Sequence, residues 1–143
     1  MLCRVLGIVS SEGFSQEYFA EFRNLAENAK VRRGAEPGHN DGWGIVLYDG
    51  KTPKYLAREP KSASADLKYL EVSEQLAKVK EGILLAHLRK ATRNGGPPSV
   101  ENTHPFVVND WCVAHNGCWS DWRIAKSILK NVKNPDGSER KFI

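Results

Sequence analysis

The run Ile83-Leu84-Leu85-Ala86-His87-Leu88, between Gly82 and the basic pair Arg89-Lys90, constrains the fold more than any other stretch. A continuous apolar segment of this length reads as a strand covered on both faces, because a half-exposed strand would alternate apolar and polar residues. The rest of the chain has to supply neighbouring strands and the layers that cover them.

Cys3 to Val9 is small and β-branched apolar with Gly7 inside, which suits a buried strand closely approached by a neighbour; Ser10, Ser11 and Gly13 end it. From Ser15, a suitable N-cap, the period changes to 3.6. Tyr18, Phe22, Leu25 and Ala29 lie on one stripe beside Phe19 and Ala26, which predicts a helix to about Val31. The glycine-rich piece from Arg32 to Gly42 is a loop. Trp43 to Tyr48, Asp49-Gly50 and Pro53 to Ala57 read as a hairpin. A second helix is expected from about Ala63 to Lys80, with Tyr69, Val72, Leu76 and Val79 on its apolar face. Beyond the central run, Arg93 to Ser99 is a loop, and Phe106 to Val108 with Trp111 to Ala114 flank Asn109-Asp110 as another hairpin. Trp122, Ala125, Ile128, Leu129 and Val132 mark a third helix capped by Ser120; Lys141-Phe142-Ile143 reads as the opening of a strand. No repeat or composition break divides residues 1–143, so an α/β chain of one domain is expected.

Composition narrows the function classes. With 41% apolar and 27% charged residues the chain suits a globular fold with a real core. The net charge of +4 is scattered among 17 acidic residues rather than clustered, which argues against nucleic acid as a partner. No apolar run approaches the roughly 20 residues of a membrane span, and no signal-peptide core is present. Three cysteines, Cys3, Cys112 and Cys118, are an odd set that suits free thiols in a reducing compartment, so a cytoplasmic location is expected.

Cys3 stands out chemically. Were the two residues before it removed, a thiol and an α-amine would share one carbon, giving a nucleophile with a built-in base. Three polar clusters lie at strand ends or in loops: Gly38 to Gly44, His87 to Thr92, and Asn102 to Phe106 followed by His115-Asn116-Gly117. Singly they are ambiguous. An arginine closing a buried strand is by default structural, and His-Pro and Asn-Gly are by default turns.

Together, Cys3-Arg4, Asp41-Gly42-Trp43-Gly44, His87-Leu88-Arg89-Lys90-Ala91-Thr92, Asn102-Thr103-His104-Pro105-Phe106 and His115-Asn116-Gly117 resemble, in order, the pattern of the class II glutamine amidotransferases. These belong to the N-terminal-nucleophile hydrolase superfamily, and the nearest branch is that of the stand-alone amidotransferases. The resemblance implies an α-β-β-α sandwich of antiparallel sheets and hydrolysis of the γ-carboxamide of glutamine or of a γ-glutamyl amide, with no cofactor and no metal. It implies Cys3 as nucleophile, Asn116 and Gly117 as oxyanion hole, and Arg89 with Thr92 as the holders of the substrate α-carboxylate. His104 becomes pocket-forming, and Gly42, Trp43 and Gly44 a pocket floor beside Cys3, although Trp43 taken alone reads equally well as core.

The chain departs from the family pattern twice. Leu2 stands between Met1 and Cys3, and the sequence stops at Ile143, where the family continues into a Thr-Asp-Ser-Glu-like segment whose aspartate takes the substrate α-ammonium. A sandwich truncated at its carboxyl end is therefore expected, to be completed by a longer chain, a homo-oligomer or a partner subunit. The competing reading is a non-catalytic amidotransferase-like domain that binds an amino acid or a partner protein. A zinc site from Cys112-x-x-His115-x-x-Cys118 with Cys3 is a weaker alternative, since the Asn116-Gly117 between its ligands already has a role.

Overall fold

The computed structural model describes residues 3–31, 34–91, 96–117 and 138. Its elements are β1 (Arg4–Ser10), α1 (Gln16–Asn28), β2 (Trp43–Tyr48), β3 (Pro53–Glu59), α2 (Leu67–Leu76), β4 (Gly82–Leu88), β5 (Phe106–Val108) and β6 (Trp111–Val113). The first four strands in space form an antiparallel sheet in the order β1-β4-β2-β3, while β5 and β6 form a separate antiparallel hairpin. The apolar run is thus an inner strand, as its composition requires. Ala86 sits between Leu6 of β1 and Ile45 of β2. The fold is of the expected α/β class, with two antiparallel sheets and helices laid on one face of the larger.

Helix α1 begins where Ser15, in extended conformation, accepts the Glu17 N–H on its hydroxyl. Phe19, Phe22 and Ala26 turn inward and Tyr18 is half exposed, on the flank of the stripe. The helix ends three residues before the expected Val31, because Gly38 and His39 fold back and donate their N–H groups to the carbonyls of Ala29 and Ala26. Helix α2 is also shorter than expected. Asp66 caps it by accepting the Lys68 N–H at 3.1 Å, so residues 63–65 form a turn and not the helix's first one. Tyr69, Val72 and Leu76 then pack with Phe19, Phe22, Ile45, Leu47, Leu84, Ala86 and Leu88 in a single core. Burial of that apolar surface, at about 25 cal/mol per Å², is the main force holding helices to sheet.

The opposite face of the sheet is covered unevenly. The β5–β6 hairpin lies along β2 and β3, pinned by Tyr55, whose hydroxyl donates to the Pro105 carbonyl and accepts the Val107 N–H at 2.8 Å, and by Tyr48, which donates to the Asp110 carbonyl; the His104-Pro105 segment that leads into it meets the sheet at Gly44, opposite His87. There His87 is fully buried, but along the same strand Ile83 is 49% exposed. The expectation that this strand is covered on both faces therefore holds only toward its carboxyl end. The expected third helix, the closing strand, Thr92 and Cys118 lie outside the described residues. Among the described residues no helix is long and apolar enough to cross a membrane.

Candidate active site

The carboxyl end of β4 is where the predicted site residues gather. The β1–β4 ladder runs to Arg4 opposite Leu88, so the chain just before β1 lies beside the loop that leaves β4. Cys3 is buried there, its Sγ 3.8 Å from the Lys90 carbonyl oxygen. Its backbone N–H donates to Asn116 Oδ1 at 3.0 Å, joining residues 113 positions apart. Its carbonyl accepts from Nη1 of Arg4, whose Nη2 donates to the Lys30 carbonyl just beyond α1. These bonds fix the Cys3 backbone on both sides. The bond to Asn116 also decides which end of that amide is which: Oδ1 faces the Cys3 nitrogen, so Nδ2 is the donor end.

Arg89 continues the β2–β4 ladder past the strand. Its N–H donates to the Gly42 carbonyl at 2.7 Å and its carbonyl accepts the Asp41 N–H at 3.1 Å. The guanidinium is buried and curls along its own loop, with Nη2 donating to the Gly96 carbonyl at 2.9 Å and Nη1 to the Pro97 carbonyl at 3.2 Å. Both of these acceptors are neutral carbonyls, and a carboxylate would match the planar fork with two parallel bonds.

His104 packs against both His87 and His115, with ring centroids 4.6 Å from each, tilted at 53° to the first and edge-on at 80° to the second. His87 Nε2 lies 3.3 Å from the His115 carbonyl; a carbonyl only accepts, so that nitrogen carries the hydrogen. His87 Nδ1 and both ring nitrogens of His104 are buried without a hydrogen-bond partner among the described residues. Burial, reinforced by the neighbouring His104, pushes His87 down to about 3. Burial together with the nearby charges of His115, Arg89 and Arg58 pushes His104 down to about 4. Both are neutral at pH 7 and line this end of the sheet as uncharged polar rings.

Of the expected pocket floor, Gly44 touches this cluster most closely. A Cβ there would overlap the His104 carbonyl oxygen and lie 3.1 Å from Pro105 Cδ, so only glycine lets β2 pass the His104-Pro105 segment. A Cβ on Gly42 would likewise crowd Thr103, at 2.7 Å from its Oγ1. Trp43 takes the core reading of the two left open for it. Its indole is fully buried, edge-on to Tyr69 at 5.0 Å, with Nε1 donating to Asp66 Oδ2 at 2.9 Å, so the ring is core and not pocket wall. The two readings could not be separated beforehand because nearly every residue of β2 is buried, so its composition does not mark which face is which.

Two groups were not anticipated. Asp41, inside the Asp-Gly-Trp-Gly motif, accepts the Ala91 N–H on Oδ2 at 2.7 Å; an aspartate just before a tight approach of two loops is the signal that could have flagged it. His87 and His115 are visible as members of motifs, but the packing of their rings against His104 is a tertiary fact. Among the described residues no group of three or more His, Cys, Asp or Glu side chains is arranged to hold a metal ion.

The family described as class-II glutamine amidotransferases matches residues 2–140. The chain is 37% identical over 146 aligned positions to the protein named putative glutamine amidotransferase YafJ from Escherichia coli (strain K12), covering 99% of this chain and 52% of that one. It is 36% identical over 77 residues to the gamma-glutamyl-hercynylcysteine sulfoxide hydrolase of Mycobacterium tuberculosis (strain ATCC 25618 / H37Rv), covering 54% and 31%. It is 27% identical over 128 residues to a glutamine--fructose-6-phosphate aminotransferase (isomerizing) of Zymomonas mobilis, covering 90% and 18%. The chain spans about half, or less, of the length of these relatives.

Proposed function

Since the chain belongs to the class-II glutamine amidotransferase family, we propose that it hydrolyses the γ-carboxamide of glutamine or a γ-glutamyl amide, with Cys3 as nucleophile. The observation that carries this reading is the bond from the Cys3 nitrogen to Asn116 Oδ1, which joins the nucleophile's own backbone to the amide that would serve the oxyanion.

In the proposed reaction, removal of Met1-Leu2 turns the Cys3 nitrogen into an α-amine. That amine accepts the thiol proton as sulfur attacks the γ-carbonyl carbon and the carbonyl electron pair moves onto oxygen. Asn116 Nδ2 and the Gly117 N–H donate to this oxyanion. Collapse of the tetrahedral intermediate breaks the C–N bond, and the α-ammonium returns its proton to the departing ammonia or amine. Water, deprotonated by the same amine, then cleaves the thioester to release glutamate or its analogue and restore the thiol. Arg89 would exchange its loop carbonyls for the substrate α-carboxylate, with Thr92 assisting. The hydrolase among the relatives is named for a γ-glutamyl substrate other than glutamine, which supports testing both substrate classes.

The test is release of ammonia from glutamine, or of amine from a γ-glutamyl amide, alongside the intact mass of the mature chain. The expected result is turnover by a chain that begins at Cys3, with Asn116→Ala lowering kcat by about 100- to 1,000-fold at little change in KM. Retention of Met1-Leu2 would remove the α-amine mechanism. Binding of glutamine without release would favour the non-catalytic reading.

A further inference from the structure

Asp41 touches the loop after β4 twice, on either side of Lys90. Its backbone N–H donates to the Arg89 carbonyl at 3.1 Å, and its carboxylate Oδ2 accepts the Ala91 N–H at 2.7 Å. Between these two bonds, the Lys90 carbonyl is the group that lies 3.8 Å from Cys3 Sγ. On the other side of the bracket is Arg89, whose N–H is itself tied to the Gly42 carbonyl next to Asp41. Backbone pairing between the two segments thus runs on from Leu88 opposite Trp43 to Arg89, and at Ala91 a side chain, the Asp41 carboxylate, takes over as the partner.

We propose that Asp41 is a positioning residue: by clamping Ala91 it holds the Arg89–Ala91 turn in the register that sets Cys3 Sγ and the Arg89 fork around one site. This deepens, and rests on, the reading of Cys3 as nucleophile and Arg89 as carboxylate anchor. A staple that merely stabilised the fold would affect all parts of the molecule together. A positioning clamp affects Cys3 and substrate binding selectively, and needs an acceptor oxygen at this position rather than a charge.

The test uses the full chain with Asp41→Ala and Asp41→Asn. The first readout is the rate of thiol alkylation by iodoacetamide, mapped by peptide and compared between Cys3 and Cys112, the latter on β6. Asp41→Ala is expected to speed alkylation of Cys3 about fivefold or more by letting the Lys90 peptide turn away, with the rate at Cys112 held, and Asp41→Asn is expected to stay near wild type. The second readout is steady-state hydrolysis: Asp41→Ala is expected to raise KM about tenfold with a smaller effect on kcat, and to add nothing to the KM of Arg89→Ala. Equal acceleration at Cys3 and Cys112, no acceleration at Cys3, or an asparagine variant indistinguishable from alanine would overturn the proposal. If wild-type protein releases no ammonia or amine, the hydrolase reading fails, and the alkylation ratio still decides the clamp.

Discussion

Lowering the pH from 7 to 5 is expected to strip this fold of a large part of its stability through two imidazoles. His87 and His104, both buried and held at about 3 and about 4, stay neutral at pH 5 while folded. In the unfolded chain each regains its ordinary value of 6.5 and takes up a proton. The unfolded state therefore binds more protons, so the stability these groups contribute is complete above about pH 6.5 and is lost as pH falls toward 4 and then 3. At about 1.4 kcal/mol per pH unit, the 1.5 units between 6.5 and pH 5 amount to about 2 kcal/mol for each ring and about 4 kcal/mol for the pair. Against a typical total of about 5 to 15 kcal/mol, that is a large loss. Urea unfolding followed by tryptophan fluorescence at pH 7, 6 and 5 measures it, and imidazole proton shifts in the folded protein assign it. A urea midpoint that does not move between pH 7 and 5, or His87 and His104 rings that titrate near 6.5 in the folded chain, would refute the argument.

Gly44→Ala should cost about 3 kcal/mol in urea unfolding, because its Cβ meets backbone at His104 that has no room to yield, whereas Gly7→Ala, with nothing within 4 Å of its Cβ, should stay within about 0.5 kcal/mol. Asp66→Ala should cost about 3 kcal/mol by removing the α2 cap and leaving the buried Trp43 Nε1 without its acceptor. Asp66→Asn, which keeps one acceptor oxygen, should recover about half. The Lys61 partner of Asp66 is itself exposed, so Lys61→Ala should change stability by less than about 1 kcal/mol in the same assay.

What could be read from the sequence was what depends on neighbours along the chain. The run 83–88 predicts an inner strand, Ser15 a helix start, and Asp49-Gly50 and Asn109-Asp110 hairpin turns, because periodicity and turn chemistry act over a few residues. The start of α2 escaped because Asp66 is fixed from across the fold, by the Trp43 indole as well as by Lys68. Partial cover of β4 escaped because the short β5–β6 hairpin is pinned to Tyr48 of β2 and Tyr55 of β3 and leaves Ile83 of β4 half exposed. At the site, Cys3, Asn116, Gly117, Arg89 and His104 stand out through motif order, and Cys3 and Asn116 are in direct contact. The turn of the Arg89 fork toward Gly96 and Pro97 and the bracket of Asp41 around Lys90 depend on how two loops meet, and no local pattern encodes that. Thr92 lies outside the described residues, so its part in the site stands as a proposal.

The proposed assignment of Cys3 as the nucleophile for a γ-glutamyl carbonyl has one decisive measurement. It is tested most directly by treating the full chain with a glutamine analogue that carries a diazoketone in place of the γ-amide, and mapping the label by peptide mass. One equivalent on Cys3 is expected, at a rate that saturates with analogue and is slowed by glutamine. Label on Cys112 or Cys118, or a chain left unmodified, would contradict it.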